Sequence, residues 1–200
     1  MMKTQSGDHG VRVIPATAEC WRDLEALFGK NGASAGCWCM FWRLKRADFK
    51  TLKGEGTRAE LRAMTMNNAV PGVLAYLDGK AIGWCSIGPR EDFAALEDSH
   101  LLKRMDDRPV WSIVCFYVAR GHRRQGVAQL LLKGAAAYAI SKGAKIIEAY
   151  PIDMQSPQLQ GKRLDHCGGY MGIASIFRTA GFQEVSRASE TQLIMRYNAS

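Results

Sequence analysis

"VARGHRRQGVAQLLL", residues 118–132, sets three Arg, a Gln and two Gly between a hydrophobic run and a strongly apolar stretch. The run before it, "PVWSIVCFYV" (109–118), is β-branched and aromatic and reads as a buried central strand. The stretch after it, 126–142, reads as a helix apolar on most faces, with Gly143 as its C-terminal stop. A strand–turn–helix junction exposes the unpaired N–H groups of the helix's first turn, and the helix dipole reinforces them. Gly126 carries no side chain that would block close approach, and Ala128 keeps the next turn slim. Arg120, Arg123 and Arg124 add positive charge around the rim. This chemistry suits phosphate, a pyrophosphate first. An Arg-rich turn is also what an ordinary solvated surface looks like, so spacing alone leaves both readings open. Neither G-x-x-x-x-G-K-[ST] nor G-x-G-x-x-G occurs, which excludes a P-loop and the usual dinucleotide turn.

The elements on either side extend the pattern. "VRVIPA" (11–16) alternates as a first strand, and Thr17 would then cap a helix with Trp21, Leu24, Leu27 and Phe28 at helical spacing. Residues 29–56 are Gly-rich and irregular, with "GCWCMFWR" (36–43) in their middle; a second helix is expected over 57–69, stopped by Pro71. "GVLAYLDGKAIGWCSIG" is a hairpin turning at Asp78-Gly79. Residues 91–107 are acidic and polar with one short helix. "AKIIEAYP" (144–151) is a second buried strand, followed by a polar stretch (152–168), a short helix over 172–180 ended by Gly181, and two closing strands, "FQEVSR" and "QLIMRYN". The order β-α-α-β-β-β-α-β-α-β-β predicts an α/β chain with one layer of sheet and helices on both faces.

At 200 residues and 47% hydrophobic, the chain can bury one sizeable core; one domain is expected over 1–200, its core at about 11–197. The segment "MMKTQSGDHG" has no apolar run of signal-peptide type, and no apolar run approaches the roughly 20 residues of a membrane helix. A soluble, cytoplasmic protein with no membrane partner is expected, its six Cys reduced. The net charge of +8 suits a polyanionic partner but does not choose one. No recognisable nucleic-acid motif accompanies it, so nucleic acid is not expected as a partner.

"RRQGVA" (123–128), after "FYVARGH" and before an apolar helix, resembles the [QR]-x-x-G-x-[GA] signature of the GNAT superfamily of acyl-CoA-dependent N-acyltransferases. "SIFRTAGF" (175–182) resembles the family's last helix running into Gly-Phe and a strand, and the element order fits from 11 to 197. The resemblance implies the GNAT fold: a mixed, mostly antiparallel sheet splayed between two central strands, 109–118 and 144–150. It implies acetyl-CoA as co-substrate. Arg123 takes the first motif position, and backbone N–H groups of Arg124, Gln125, Gly126, Val127 and Ala128 would hold the pyrophosphate. Backbone groups of Phe116, Tyr117 and Val118 would pair with the pantetheine arm like an added strand. An N–H near Phe116 or Tyr117 is the implied oxyanion donor.

The acid and base are not where the family often has them. Some members carry a Glu six residues before the position of Val118, where this chain has Ser112; many carry a Tyr four residues before the Gly-Phe, where it has Phe177. Glu148, mid-strand in "KIIEAYP", is the first candidate base, because a carboxylate in a buried strand is costly unless paired or functional. The alternative is that it pairs with an Arg or a hydroxyl and organises the core. Tyr150, on the same strand face, is a candidate proton donor or pocket wall; Asp153 and His166 lie in the insertion that follows.

Cys37 and Cys39 with His166 and Cys167 do not match a standard zinc spacing, so no metal is expected and buried thiols in an aromatic cluster are the better reading. Trp38, Phe41 and Trp42 fall in the segment that borders the acceptor side in the GNAT fold, where aromatic walls suit a ring-bearing or sugar-like acceptor. "REDFAALEDSH" with Asp106-Asp107 would either attract a cationic amine or form a solvated face. "GCWCMFWR", "SIGPRE" and "IIEAYP" together resemble a GNAT subgroup that includes kasugamycin 2′-N-acetyltransferases. The expected acceptor is a small-molecule primary amine, an aminoglycoside among the candidates, so that antibiotic resistance is an implied role. A protein N-terminus or Lys, or a silent CoA-binding sensor, are the alternatives. A monomer or homodimer is expected.

Overall fold

A computed structural model describes residues 10–162 and 169–199. Seven strands form one sheet: β1 (Arg12–Pro15), β2 (Gly72–Leu77), β3 (Lys80–Pro89), β4 (Trp111–Val118), β5 (Ile146–Ala149), β6 (Gln183–Arg187) and β7 (Leu193–Asn198). They lie in the order β1-β2-β3-β4-β5-β7-β6. Every neighbouring pair is antiparallel except β4 with β5. The helices are α1 (Trp21–Phe28), α2 (Arg46–Leu52), α3 (Glu55–Met66), α4 (Ala94–Glu97), α5 (Val127–Ser141) and α6 (Ala174–Thr179).

The two-residue period of the strands sorts the core into two layers. Along β2, Val73 and Ala75 pack with α5 and α6, while Leu74 and Tyr76 pack on the other face with α1, Leu61 of α3 and Phe93. Asp78 (φ 49°) and Gly79 (φ 76°) both adopt left-handed backbone, the pairing a type I′ turn requires, which sets the β2–β3 register. Helix α2 lies inside the segment the sequence presents as irregular. It buries none of its residues, so it carries no apolar stripe to announce it.

The central strands part for a local reason. β4 pairs with β5 only at Trp111↔Ile147, Ser112↔Glu148 and Ile113↔Ala149. Against β3, the register jumps from Ile113↔Ile87 to Cys115↔Ser86, so Val114 is an extra residue. A bulge bends its strand and increases the twist. The bend therefore falls immediately after the last β4–β5 pair, and the rest of β4 stays with β3. The bulge also breaks the alternation, sending Val114 and Cys115 to the same core layer. Among the described residues, no helix is long and apolar enough to cross a membrane.

Candidate functional site

The turn after β4 is braced by side chains and leaves its backbone donors free. Arg123 folds back so that its Nε donates to the Val118 carbonyl at 2.9 Å, and Gln125 Nε2 donates to the Gly121 carbonyl at 2.9 Å. Arg124 (φ 62°) and Gly126 (φ 80°) both take left-handed backbone. Among the described residues, no acceptor takes the N–H groups of Arg123 through Ala128. Such a run at a helix N-terminus is a preformed anion site. A Cβ on Gly126 would meet nothing within 4 Å. Its glycine is thus demanded by the backbone conformation, and the space before it stands open for a ligand.

This turn forms one end of an open cleft of about 740 Å³. Phe116, Tyr117, Val118, Arg123, Arg124, Gly126, Val127 and Ala128 all line it; Gln125 is absent from the lining and serves as a brace. The far wall is Gly169, Tyr170, Gly172 and Ile173 together with Ile176 and Phe177 of α6. Sequence reasoning missed His122 and Tyr170, which also line the cleft. Tyr170 packs against the α1-side core as well, so it stands where the cleft meets the opposite face of the sheet. A smaller depression of about 360 Å³ runs along α3, and its Arg58 is already paired with Glu25 and Glu55.

Phe177 is fully buried, edge-on to Phe116 (5.9 Å) and Phe182 (5.2 Å), and presents no acid. Ser112 is buried, its hydroxyl 2.9 Å from that of Tyr150. Neither Glu148 nor Tyr150 lines the cleft. Glu148, 1% exposed, accepts from Arg90 Nη1 (3.0 Å), the Tyr150 hydroxyl (2.7 Å) and Arg196 Nε (2.7 Å). Burial first, then the charge of Glu148, pushes the Tyr150 phenol well above its ordinary pKa, so it stays protonated. Arg90, also 1% exposed, reaches on to Glu97 (2.6 Å) and the Leu102 carbonyl (2.6 Å). The network thereby ties the segment after β3 onto β5.

That segment was a candidate lure for a cationic amine, but most of its acids are paired. Glu91 and Glu97 bind Arg104, and Asp106 binds Arg108 and Arg196. Hydrogen bonds from those last two Arg residues hold the Asp106 carboxyl well below the usual carboxylate range. Asp153 is buried and accepts from Arg187 at 3.2 Å; His166 and Cys167 lie outside the described residues.

Of the three aromatic candidates, Trp38 is core, stacked on Trp21 and tilted against Phe28. Phe41 is more than a third exposed and forms a surface group with Trp42, Phe49 and the guanidinium of Arg46, outside the cleft. The thiols of Cys39 and Cys115 lie 3.1 Å apart in the buried cluster. Among the described residues, no group of three His, Cys, Asp or Glu side chains is placed to hold a metal.

A bent, half-unpaired central strand that feeds a turn of free N–H groups defines the fold of an acyl-CoA-dependent transferase. The sequence agrees: the chain belongs to the acetyltransferase (GNAT) family, whose profile matches residues 38–159. Members of this family are N-acetyltransferases, and acetyl-CoA is their co-substrate. No curated protein matches the chain. Among solved structures it is similar in fold to the PaiA N-acetyltransferase of Thermoplasma acidophilum in complex with coenzyme A (12% identity, 94% of this chain and 99% of that one, TM-score 0.52). It is similar also to a GNAT-family acetyltransferase from Streptococcus pneumoniae (12%, 94% and 99%, TM-score 0.52). The GNAT domain of S. lividans PAT is a third such structure (15%, 94% and 90%, TM-score 0.52).

Proposed function

We propose that the chain transfers the acetyl group of acetyl-CoA to a primary amine of a small molecule, by direct attack within a ternary complex. An amino sugar of the kasugamycin type is the first acceptor to test, as the subgroup resemblance suggests. The observation that carries the small-molecule reading is the cover over the parted strands. The Tyr170 carbonyl accepts from the Phe116 N–H at 2.6 Å, so the chain's own Gly169–Gly172 turn lies across the gap. Its Gly172–Ala174 end stays anchored to Ile152 on the strand extension after β5, so the turn crowds this side of the gap against an extended peptide even when its tip moves, and a compact amine still fits.

In this reading the N–H groups of Arg124 to Ala128 hold the pyrophosphate, and the Phe116 N–H faces the thioester oxygen as it gains charge. The acceptor amine attacks in its neutral form, the C–S bond breaks, and the thiolate takes its proton at the cleft. Glu148 supports the reading least as a base, because its carboxylate is already shared among three donors. Removal of the amine's proton then falls to water.

The test is thiol release from acetyl-CoA against a panel of amines that includes kasugamycin and other aminoglycosides. Turnover on one of them supports the proposal. Turnover confined to peptides overturns the small-molecule acceptor. Binding of CoA with no turnover on amines or peptides favours a sensor.

A further inference from the structure

The Phe116 N–H is committed twice. In the reading above it serves the acyl donor, yet in the free protein it already donates to the Tyr170 carbonyl at 2.6 Å. The turn that carries this carbonyl is closed by a bond from the Gly172 N–H to the Gly169 carbonyl at 3.1 Å. Beyond it the chain is anchored to the strand extension after β5: the Ile152 N–H donates to the Gly172 carbonyl, and the Ala174 N–H donates to the Ile152 carbonyl, both at 2.9 Å. Residues 170–174 therefore bridge β4 and the continuation of β5 where the two strands part. This is the place an incoming extended arm would take.

Two features define where the turn would pivot and what restrains it. Gly172 sits at φ +83°, where a Cβ would come within 2.8 Å of Phe177, so a left-handed pivot and close packing coincide there. On its other side a side-chain latch bears on the turn: Gln192 Nε2 donates to the Tyr150 carbonyl at 3.0 Å and contacts Met171 Sδ at 3.2 Å.

We infer that the Gly169–Gly172 turn is an internal competitor for the acyl-CoA arm: it occupies the free edge of β4 and must swing away about Gly172 before the thioester reaches the Phe116 N–H. The inference rests on the cleft being the acyl-CoA site. Only the fraction of molecules with the turn open binds productively, so the apparent affinity is lowered by that fraction.

The test is hydrogen exchange of the full chain with and without acetyl-CoA, paired with calorimetric affinities for wild type, Gln192→Ala and Met171→Ala. The expected result is slower exchange at 116–118 and 123–128 and faster exchange at 169–172 when acetyl-CoA is bound. Loosening the latch in either variant should tighten acetyl-CoA binding by about threefold or more. Protection at 116–118 and 123–128 without faster exchange at 169–172, or variants that bind no tighter than wild type, would overturn the competitor and leave the cleft assignment standing. No protection anywhere would overturn the cleft assignment and the competitor with it.

Discussion

The turn at 123–128 and the cluster around Glu148 are both polar and both adjoin the central strands, and they are built in opposite ways. At the turn, six consecutive backbone donors lack partners among the described residues, and the Arg123 and Gln125 side chains, themselves donors there, brace the loop on its carbonyls. At Glu148, both carboxylate oxygens are occupied and every surrounding group is buried or paired. Unpaired donors at the surface are held by water until a better acceptor arrives, so they cost little. The same vacancy at Glu148 would leave a charge stranded in the core. Donors left unpaired on a braced loop are free to take a ligand, whereas polar groups saturated in the core already serve one another.

The comparison breaks first at Glu148. Glu148→Gln keeps the volume but removes the buried charge shared by Arg90 and Arg196, leaving them only their outer acidic partners Glu97 and Asp106. A loss of about 3 kcal/mol is expected by denaturant titration. Acetyl transfer per folded molecule should stay within about twofold of wild type. A large fall in turnover at unchanged stability would return Glu148 to the role of base.

Gly126→Trp attacks the other region. The side chain would fill the open space before the helix, and an L-residue at φ 80° adds about 1 kcal/mol of backbone strain. Acetyl-CoA affinity should fall at least about 100-fold, roughly 2.7 kcal/mol. The melting temperature without ligand should drop only a few degrees. Unchanged affinity would remove the phosphate site.

A smaller effect separates the regions by pH. The folded pKa of Tyr150 is raised, so its contribution is fully present below the unfolded value of about 10 and fades as pH climbs above it. Stability should therefore decline above about pH 10. Tyr150→Phe should flatten that decline by up to about 1.4 kcal/mol per pH unit, at a cost of about 1 kcal/mol near neutrality for its lost hydrogen bonds. An alkaline limb equally steep in both proteins would show that the phenol is not coupled to folding.

Sequence reasoning reached these regions unevenly. The turn at 123–128 was legible because its signal is local: a strand, a Gly and a helix within a dozen residues. The strands over 72–77 and 111–118 were legible as apolar runs, the first closed by the Asp78-Gly79 turn, whereas the order of the strands in the sheet is not written in any one segment. Glu148 stood out as anomalous, but its meaning depended on Arg90 and Arg196, which lie 58 and 48 residues away in sequence. The bulge at Val114 left no trace, since an extra β-branched residue in an apolar strand looks like any other. Tyr170 was missed because it joins the site through its carbonyl, and every residue has one.

The smallest prediction concerns Arg124, where charge and backbone strain can be told apart. It lines the cleft, and its φ of 62° is one that L-residues adopt at a cost. Arg124→Ala removes the charge and keeps the strain; acetyl-CoA affinity should fall about two- to fivefold at low salt, with the difference shrinking as salt screens the rim. Arg124→Gly removes both, and should recover about 1 kcal/mol of stability while binding as weakly as the Ala variant. If the Gly variant instead binds more weakly than the Ala variant at equal charge, the preset left-handed backbone is what holds the N–H groups in place. The turn would then owe its affinity to rigidity more than to its arginines.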